Sequence, residues 1–442
     1  MGDPPDHPEP PRRPETSLQP LRKQYYALVP PYLLRVPPPE ILGTEEAQAF
    51  LVDRILCDGA GELPGPEMGY RRGFWRKVVG VVERGVGMLR EVDSELELEV
   101  DERIYEAVAD LMVSASGSSG SSTELTPPSP LTPPSPFLYS LRGSRTHAAD
   151  IIRPPESHRT FIYDQPDWAA SGRIGAATAR ERRITLLEEQ VVLQAGTTGL
   201  RTWTAALHLG HHILSHPHLL FRHPQLLFRQ PASQDDTSPL PLDIVELGAG
   251  TGFLSILLAQ LGSDVISTDL GEPGDSQGDE QTPFKRLKFN ARLNEVSTGG
   301  RLRVEALDWT DASRDEVDRP GIWRTLMAPR TVVAADVIYD PDLVPPLVAT
   351  IRVLIGAKQR HDRGSHERRQ SEAIIAATVR NPATLRLFRD TCAEKRAEKE
   401  DLLVDTLDLS PMDDDDPTFW DSGLDRSASV RIMRITPRAP AA

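Results

Sequence analysis

The sequence predicts a doubly wound α/β domain with a mostly parallel seven-strand sheet of the Rossmann-like type, preceded by a smaller helical domain. Three observations lead to this prediction. After residue 181, short β-branched runs alternate with helical patterns, and such alternation indicates βαβ units. One of these runs leads directly into a glycine-rich turn at residues 248–252. Residues 21–112 show helical spacing of apolar residues instead.

Composition divides the 442 residues into four parts. Residues 1–20 are proline-rich and charged, and we expect them to be disordered. Residues 21–112 are expected to form the helical N-terminal domain. Residues 113–136, with two Thr-Pro-Pro-Ser-Pro blocks, form a Ser/Pro-rich linker that buries too little apolar surface to become ordered. Residues 137–442 contain the predicted sheet.

Charge and cysteine content exclude several classes of protein. The net charge of −15 argues against binding to nucleic-acid backbones, which requires excess Lys and Arg. The two cysteines, Cys57 and Cys392, allow neither a disulfide framework nor a cysteine zinc site, and they indicate a reducing compartment. No secretory signal or membrane span is apparent. We therefore expect a soluble, cytoplasmic protein that contacts neither nucleic acid nor membrane.

Seven apolar runs are predicted to be the strands of the sheet. They are residues 243–247, 265–268, 302–307, 331–335, 373–379, 402–407 and 430–435. Residues 184–193 alternate and also predict a strand, whereas residues 202–215 have helical spacing.

The glycine-rich turn indicates a cofactor site. Gly248, Gly250 and Gly252 permit positive φ and a close approach of the backbone to a ligand. A dinucleotide fingerprint requires its third glycine one position later, where Phe253 stands. A carboxylate at Glu246 would repel a pyrophosphate but would support a cationic sulfonium ligand. These features favour S-adenosyl-L-methionine over NAD.

Polar and aromatic residues at the next strand ends extend this site. Asp269 ends the second strand of the sheet and can accept hydrogen bonds from ribose hydroxyls. Asp308 can accept from an adenine amino group, and the indole of Trp309 can cover the adenine ring. Ala335, which ends the fourth strand, is expected to line the same pocket. Alone, Asp269 could be a helix cap and Trp309 a core residue, but their order at successive strand ends predicts one binding site.

Residues 246–252, residues 307–309 and the pair Asp336 and Tyr339 resemble the seven-strand protein methyltransferases of family 16. Members of this family mostly methylate lysine, so the resemblance implies an S-adenosylmethionine-dependent protein-lysine N-methyltransferase. Trp203 stands where the family usually has a tryptophan that covers the cofactor. Residues 26–31 and 377–385 resemble more narrowly the branch that methylates translation elongation factor 2. That branch carries a helical N-terminal region, which implies a substrate-docking role for residues 21–112.

The chemistry of lysine methylation assigns roles to the residues after the fourth strand. The methyl donor is already a good electrophile, so the enzyme mainly positions and desolvates its substrates and needs no metal. The target lysine must lose its proton, and burial lowers its pKa from about 10.4. Asp336 is expected to orient the amine or the methionine ammonium, and Tyr339 to line the lysine channel. The alternatives are a helix N-cap for Asp336 and simple packing for Tyr339.

Two other functions remain open on the sequence alone. A small-molecule N-methyltransferase of the nicotinamide type would share the cofactor domain, although it needs no large N-terminal domain. A non-catalytic binding module could keep the fold, although the complete set of cofactor residues argues against it. His208 and His212 share a helix face, yet no third zinc ligand is apparent. The acidic run at residues 413–416 lacks the spacing of a calcium loop, and residues 380–382 predict either a substrate contact or a rigid turn.

Overall fold

A computed structural model describes thirteen stretches of the chain, and the statements below concern these residues. They are residues 14–57, 64–95, 97–113, 156–166, 181–189, 199–220, 244–271, 282–297, 300–326, 329–356, 371–394, 402–421 and 429–438.

The predicted seven-strand sheet is confirmed. Its strands lie in the order β5-β4-β3-β6-β7-β9-β8, and β9 runs antiparallel to both of its neighbours while the other pairs are parallel. A separate antiparallel pair precedes them. The strands are β1 (Glu156–Asp164), β2 (Glu181–Glu189), β3 (Ile244–Leu247), β4 (Val265–Asp269), β5 (Leu302–Ala306), β6 (Thr331–Ala335), β7 (Glu372–Thr378), β8 (Leu402–Leu407) and β9 (Val430–Pro437).

Helices cover both faces of the sheet. The α-helices are α1 (Pro14–Tyr26), α2 (Pro39–Leu42), α3 (Glu45–Leu51), α4 (Met68–Val92), α5 (Glu102–Val113), α6 (Thr204–Ser215), α7 (Phe253–Gln260), α8 (Pro283–Leu293), α9 (Ile322–Leu326), α10 (Val344–Gly356) and α11 (Pro382–Ala393). Ile244 of β3 packs in one core with α6 and α7, whereas the next residue, Val245, packs in another core with α10. The strands are therefore buried on both faces, as expected for a parallel sheet.

The N-terminal helices, α1 to α5, form their own core. Nine residues of α4 are buried, in the spacing of an amphipathic helix. Helix α1 begins at Pro14, inside the segment expected to be disordered, which corrects that boundary. Leu18 and Leu21 are fully buried in this core, and their burial offsets the cost of ordering the segment. Residues 1–13 and 114–155, which include most of the predicted linker, lie outside the described residues.

The pair of strands β1 and β2 lies outside the large sheet, and only β2 was predicted from the sequence. The strand expected at residues 184–193 runs from Glu181 to Glu189, and β1 pairs with it along its whole length. Phe161 and Tyr163 of β1 join the core under α7, while Ile162 between them joins the core of the N-terminal helices. Because successive strand residues point to opposite faces, the pair lies between the helical region and the sheet.

Candidate functional site

The glycine-rich turn follows β3, at the point where the strand order of the sheet reverses. Gly248, Gly250 and Gly252 have φ values of +63°, +55° and +88°, which L side chains rarely adopt. A Cβ atom on Gly248 would lie 2.8 Å from Cγ1 of Val337, and one on Gly252 would lie 2.8 Å from Cδ1 of Leu287. The turn therefore needs glycine for both conformation and space, and the switch point is where such sheets bind ligands.

Asp269 holds this turn from the neighbouring strand. Its Oδ2 accepts a hydrogen bond of 2.7 Å from the backbone N–H of Gly250, and its Oδ1 accepts one of 2.7 Å from that of Leu270. Burial raises the pKa of this carboxyl, while the two backbone donors act in the opposite direction. An ionised carboxylate has about four acceptor positions, so two remain for a diol such as ribose.

The residues after β5 lie beside Asp269. The N–H of Leu307 donates to the carbonyl of Asp269 across 2.8 Å. The half-buried Trp309 places two indole carbons 3.3 and 3.4 Å from the Cβ position of Gly248, so its ring packs against the glycine-rich turn. Asp308 is exposed, and its Oδ1 accepts from the N–H and hydroxyl of Thr310 at 2.9 and 2.7 Å. The structure thus brings the turn, Asp269 and Trp309 together at one edge of the sheet.

The side chain of Glu246 is buried beside α7. It is 2 % exposed and accepts a hydrogen bond from the hydroxyl of Ser255 on α7. Burial, aided by the nearby Asp269, raises its pKa to about 8. The carboxyl is therefore mostly protonated at neutral pH in this structure, and its part in binding a cationic ligand stays a prediction. Its observed contact instead fixes α7 to the strand that carries the turn.

Asp336 follows β6 in a left-handed conformation with φ of +55°. Its Oδ1 accepts from the N–H of Thr378 at 2.7 Å, and its Oδ2 accepts from the Thr378 hydroxyl at 2.9 Å. Burial raises its pKa, and the Thr378 donors and the nearby Arg380 partly offset this. Asp336 is not a helix N-cap, because the next helical turn is capped by Asp340. Its carboxylate joins the carboxyl ends of β6 and β7.

Arg380 connects Asp336 with the predicted cofactor tryptophan. Its guanidinium lies 3.7 Å from Oδ2 of Asp336 and 4.8 Å from the ring centroid of Trp203. Trp203 is half-buried at the start of α6. The sequence had left residues 380–382 as either a substrate contact or a rigid turn. Asn381 does cap α11 through a 2.9 Å bond to the N–H of Ala383, while Arg380 faces the site.

The remaining predicted residues flank this group. Tyr339 is 46 % exposed, so simple packing in a core does not describe it. Ala335 is half-buried, at the end of β6 beside the turn after β3. Thr378 was missed, although the rule that used strand ends for the other residues would also have selected it. Arg380 was weighed but not included among the predicted site residues.

The histidines at the C-terminal end of α6 make contacts of another kind. His212 and His216 both have Nδ1 within hydrogen-bond distance of the Ser410 hydroxyl, at 2.7 and 3.0 Å, and their rings stack 4.7 Å apart. Burial lowers the pKa of His212 to about 4, so it is neutral. Among the described residues, no cluster of three or more His, Cys, Asp or Glu side chains is arranged to hold a metal ion.

The strand order, the glycine-rich turn and the acidic strand ends together define a doubly wound α/β fold with a candidate ligand site at its topological switch point. Residues 187–377 match the family model described as lysine methyltransferase.

Individual relatives match over shorter stretches. EEF1A lysine methyltransferase 3 of Mus musculus is 35% identical over 113 residues, which are 26% of this chain and 40% of the mouse protein. The protein-lysine N-methyltransferase EEF2KMT of Homo sapiens is 26% identical over 147 residues, covering 33% of this chain and 40% of the human protein. The structural match to a solved SAM-dependent methyltransferase from Agrobacterium tumefaciens covers 58% of this chain and 68% of the bacterial chain, with 13% identity and a TM-score of 0.30. The matches span about two fifths of these curated relatives, at 40% of each.

Proposed function

We propose that this protein transfers a methyl group from S-adenosylmethionine to a lysine side chain of another protein, and that this substrate is translation elongation factor 2. The observation that carries the proposal is the hydrogen bond from the N–H of Gly250 to Asp269. This bond fixes an acidic acceptor beside the glycine-rich turn. The match of residues 187–377 to the family model described as lysine methyltransferase supports the same reaction.

The residues present fit the cofactor that this proposal requires. The glycine-rich turn offers backbone without side-chain bulk, and Asp269 offers acceptors for the ribose hydroxyls. Asp308, whose Oδ2 has no hydrogen bond in the described part of the chain, would accept from the adenine amino group beside Trp309. When bound, S-adenosylmethionine supplies an electrophilic methyl group on a sulfonium centre. Trp203 and Ala335 would line the remainder of its site.

This chain's own contribution to the reaction is positioning and desolvation of the lysine amine. The amine must arrive without its proton, because only then does nitrogen carry a lone pair. Asp336, 8 % exposed and held by Thr378, would orient the amine, and the exposed Tyr339 would line its approach. Exclusion of water around the amine would lower its pKa and favour the neutral form.

Elongation factor 2 as the substrate rests on the resemblance of residues 26–31 and 377–385 to the branch that methylates it. Residues 26–31 lead from α1 into the turn before α2, and residues 377–385 contain Arg380 and the start of α11. The second segment therefore contributes directly to the candidate site. Relatives named for EEF1A and for EEF2KMT make elongation factors the substrate class to test.

The direct test incubates the purified full chain with methyl-labelled S-adenosylmethionine and, separately, elongation factor 2, elongation factor 1A and nicotinamide. We expect label on a lysine of elongation factor 2, located by mass spectrometry, and none with the variant Asp269→Ala. Label on elongation factor 1A alone would overturn the proposed substrate but not the reaction. Label on nicotinamide alone, or on none of the three, would overturn the proposed reaction.

We also propose that the N-terminal helices help to dock the protein substrate and that the reaction takes place in the cytoplasm. Free thiols at Cys57 and Cys392 fit a reducing compartment. Hydrogen exchange of the full chain with and without elongation factor 2 tests the docking role. Protection within residues 14–113 is expected, and protection confined to the neighbourhood of Tyr339 would contradict it.

A further inference from the structure

A buried row of hydrogen bonds reaches the glycine-rich turn from the strand pair. The hydroxyl of Thr202, just before α6, donates to Oε1 of Glu188 on β2 at 2.5 Å. The same Thr202 oxygen lies 2.7 Å from the hydroxyl of Thr251, in the middle of the turn. Thr202 has only one hydroxyl hydrogen, and Glu188 receives it. Thr251 must therefore donate to Thr202, so the row has a single direction, from the turn to the carboxylate.

Glu188 is itself fixed by a buried arginine. Its Oε2 lies 3.4 Å from Nη1 of Arg159 on β1, and the two residues are 4 % and 1 % exposed. Arg159 also donates to the carbonyls of Ala27 and Trp420, both at 2.9 Å. A charge-assisted pair at this depth keeps its carboxylate oriented, so the acceptor that Thr202 uses has a fixed position.

The turn also has a second anchor on the same strand. The side-chain amide of Asn290 on α8 donates to the carbonyl of Thr251 at 3.0 Å, and its Oδ1 accepts from the N–H of Leu187 at 2.8 Å. Thr251 is therefore held through both its hydroxyl and its carbonyl, and it is 2 % exposed.

These anchors matter because of the residues on either side of Thr251. Gly250 and Gly252 both adopt positive φ, and glycine loses more conformational freedom on ordering than any other residue. A turn built in this way has little stiffness of its own, yet its Gly250 N–H must face Asp269 for the cofactor site to exist.

We infer that Thr202 is a positioning residue for the cofactor: through its hydroxyl, the strand pair orders the glycine-rich turn before S-adenosylmethionine binds. The inference rests on the proposed function, since it concerns the same cofactor. Thr202 is 3 % exposed, and the inferred role acts through Thr251 and needs no direct contact with the cofactor. Because the turn is already ordered in the free protein, cofactor binding loses less conformational entropy.

The test measures the dissociation constant of S-adenosylhomocysteine by calorimetry on the full chain. Thr202→Val, which keeps the shape but removes the hydroxyl, is expected to weaken binding by about tenfold. Thr202→Ser restores the hydroxyl and should bind like the unaltered chain. Thr251→Val should weaken binding to a similar extent, and the double variant should be no weaker than either single variant, because both remove the threonine–threonine bond that reaches the turn.

The strand pair offers a matched control. The hydroxyls of Thr160 and Thr185 form another buried threonine bond of 2.9 Å, which does not reach the turn. Thr185→Val removes one buried threonine–threonine bond, as Thr251→Val does, and should lower the melting temperature about as much as Thr251→Val while leaving the affinity unchanged. Equal affinity of Thr202→Val and the unaltered chain, or an equal loss in Thr185→Val, would overturn this inference alone. Absence of binding by the unaltered chain would overturn the proposed cofactor as well.

Discussion

Asp336 shows at the scale of one residue how backbone conformation and side-chain chemistry support each other. A non-glycine residue at φ of +55° is uncommon, and aspartate tolerates it because its side chain can bond nearby backbone groups. Here both carboxylate oxygens accept from Thr378, on the adjacent strand β7. The strained position therefore lies where β6 and β7 end together, which is where a reacting group is expected.

The first prediction separates the two roles of Asp336. Asp336→Asn keeps an acceptor for the Thr378 N–H and tolerates positive φ, but it loses the charge facing Arg380. We expect its melting temperature to stay close to that of the unaltered chain and its turnover on protein substrate to fall about 10²-fold, the effect of a misplaced reactant. Unchanged turnover would show that Asp336 serves structure alone. Asp336→Ala, which loses the acceptor as well, should lower stability by about 2–3 kcal/mol.

The second prediction concerns pH and Glu246. This carboxyl ionises near 4.5 when unfolded and at about 8 when folded. The folded state thus holds the proton more tightly, so its stabilising effect is complete below the lower value and is lost as pH rises through the higher one. Between about pH 5 and about pH 9, the unaltered chain should lose roughly 4 kcal/mol more stability than Glu246→Gln. Urea unfolding at several pH values measures this, and parallel curves for the two proteins would refute it.

At the scale of elements, the contact of α2 with α4 depends on two glycines. A Cβ atom on Gly85 of α4 would lie 1.9 Å from the carbonyl oxygen of Pro39, and one on Gly43 would lie 2.4 Å from the carbonyl carbon of Gly85. Backbone therefore packs against backbone, and neither position has room for a methyl group. Gly87 lies on the same helix with no atom within 4 Å of its Cβ position.

The third prediction uses this pair of glycines on one helix. Gly85→Ala should destabilise the protein by about 2–3 kcal/mol, because the helices must separate to admit the methyl group. Gly87→Ala should be neutral or stabilising by up to about 1 kcal/mol, because alanine is the better helix former. Urea unfolding of both variants provides the measurement. A similar change in both would mean that α2 does not pack on α4 as described.

Local patterns predicted the large sheet and the glycine-rich turn, but they missed β1. Each strand of the sheet is a short apolar run, and the turn can be recognised because its glycines directly follow such a run. In contrast, β1 buries Arg159 and Thr160 as well as Phe161, so neither apolar content nor alternation marks it. Arg159 can be buried only because Glu188, Ala27 and Trp420 meet it, and these lie far apart in sequence.

Some features of the candidate site could likewise be predicted from the sequence, and others could not. The position of Asp269, Asp308 and Trp309 at one edge of the sheet could be predicted, because each lies at or just after the end of a strand and parallel strands end at the same edge. The contact of Arg380 with Trp203 could not be predicted, since it joins residues from opposite ends of the domain. The neutral state of Glu246 was also out of reach, because it depends on how completely the fold buries that carboxyl.

At the scale of the whole molecule, the N-terminal helices and the sheet are parts of one packed body. Ile162 of β1 and Trp420 of the loop before β9 both belong to the core of the N-terminal helices. Arg22 of α1 forms an ion pair of 2.6 Å with Glu181 of β2. Lys23 and Arg35 form ion pairs with Asp416 and Asp415, in the acidic run at residues 413–416. These contacts join the helical region to the methyltransferase fold.

The fourth prediction follows from this shared core. The described parts should unfold in a single transition, with equal calorimetric and van't Hoff enthalpies. Arg159→Met, which leaves Glu188 buried without its charge partner, should lower the stability of the whole by about 3–5 kcal/mol. Two separate transitions, or a variant that melts only the helical part, would show that the N-terminal helices fold on their own.

The central claim is that Asp269 and the glycine-rich turn hold the nucleoside of S-adenosylmethionine at the carboxyl edge of the sheet. A crystal structure of the full chain with S-adenosylhomocysteine tests this most directly. We expect the ribose hydroxyls within hydrogen-bond distance of the Asp269 carboxylate and the adenine beside Asp308 and Trp309. Electron density for the ligand at another place, or a glycine-rich turn that remains empty at saturating ligand, would contradict the claim.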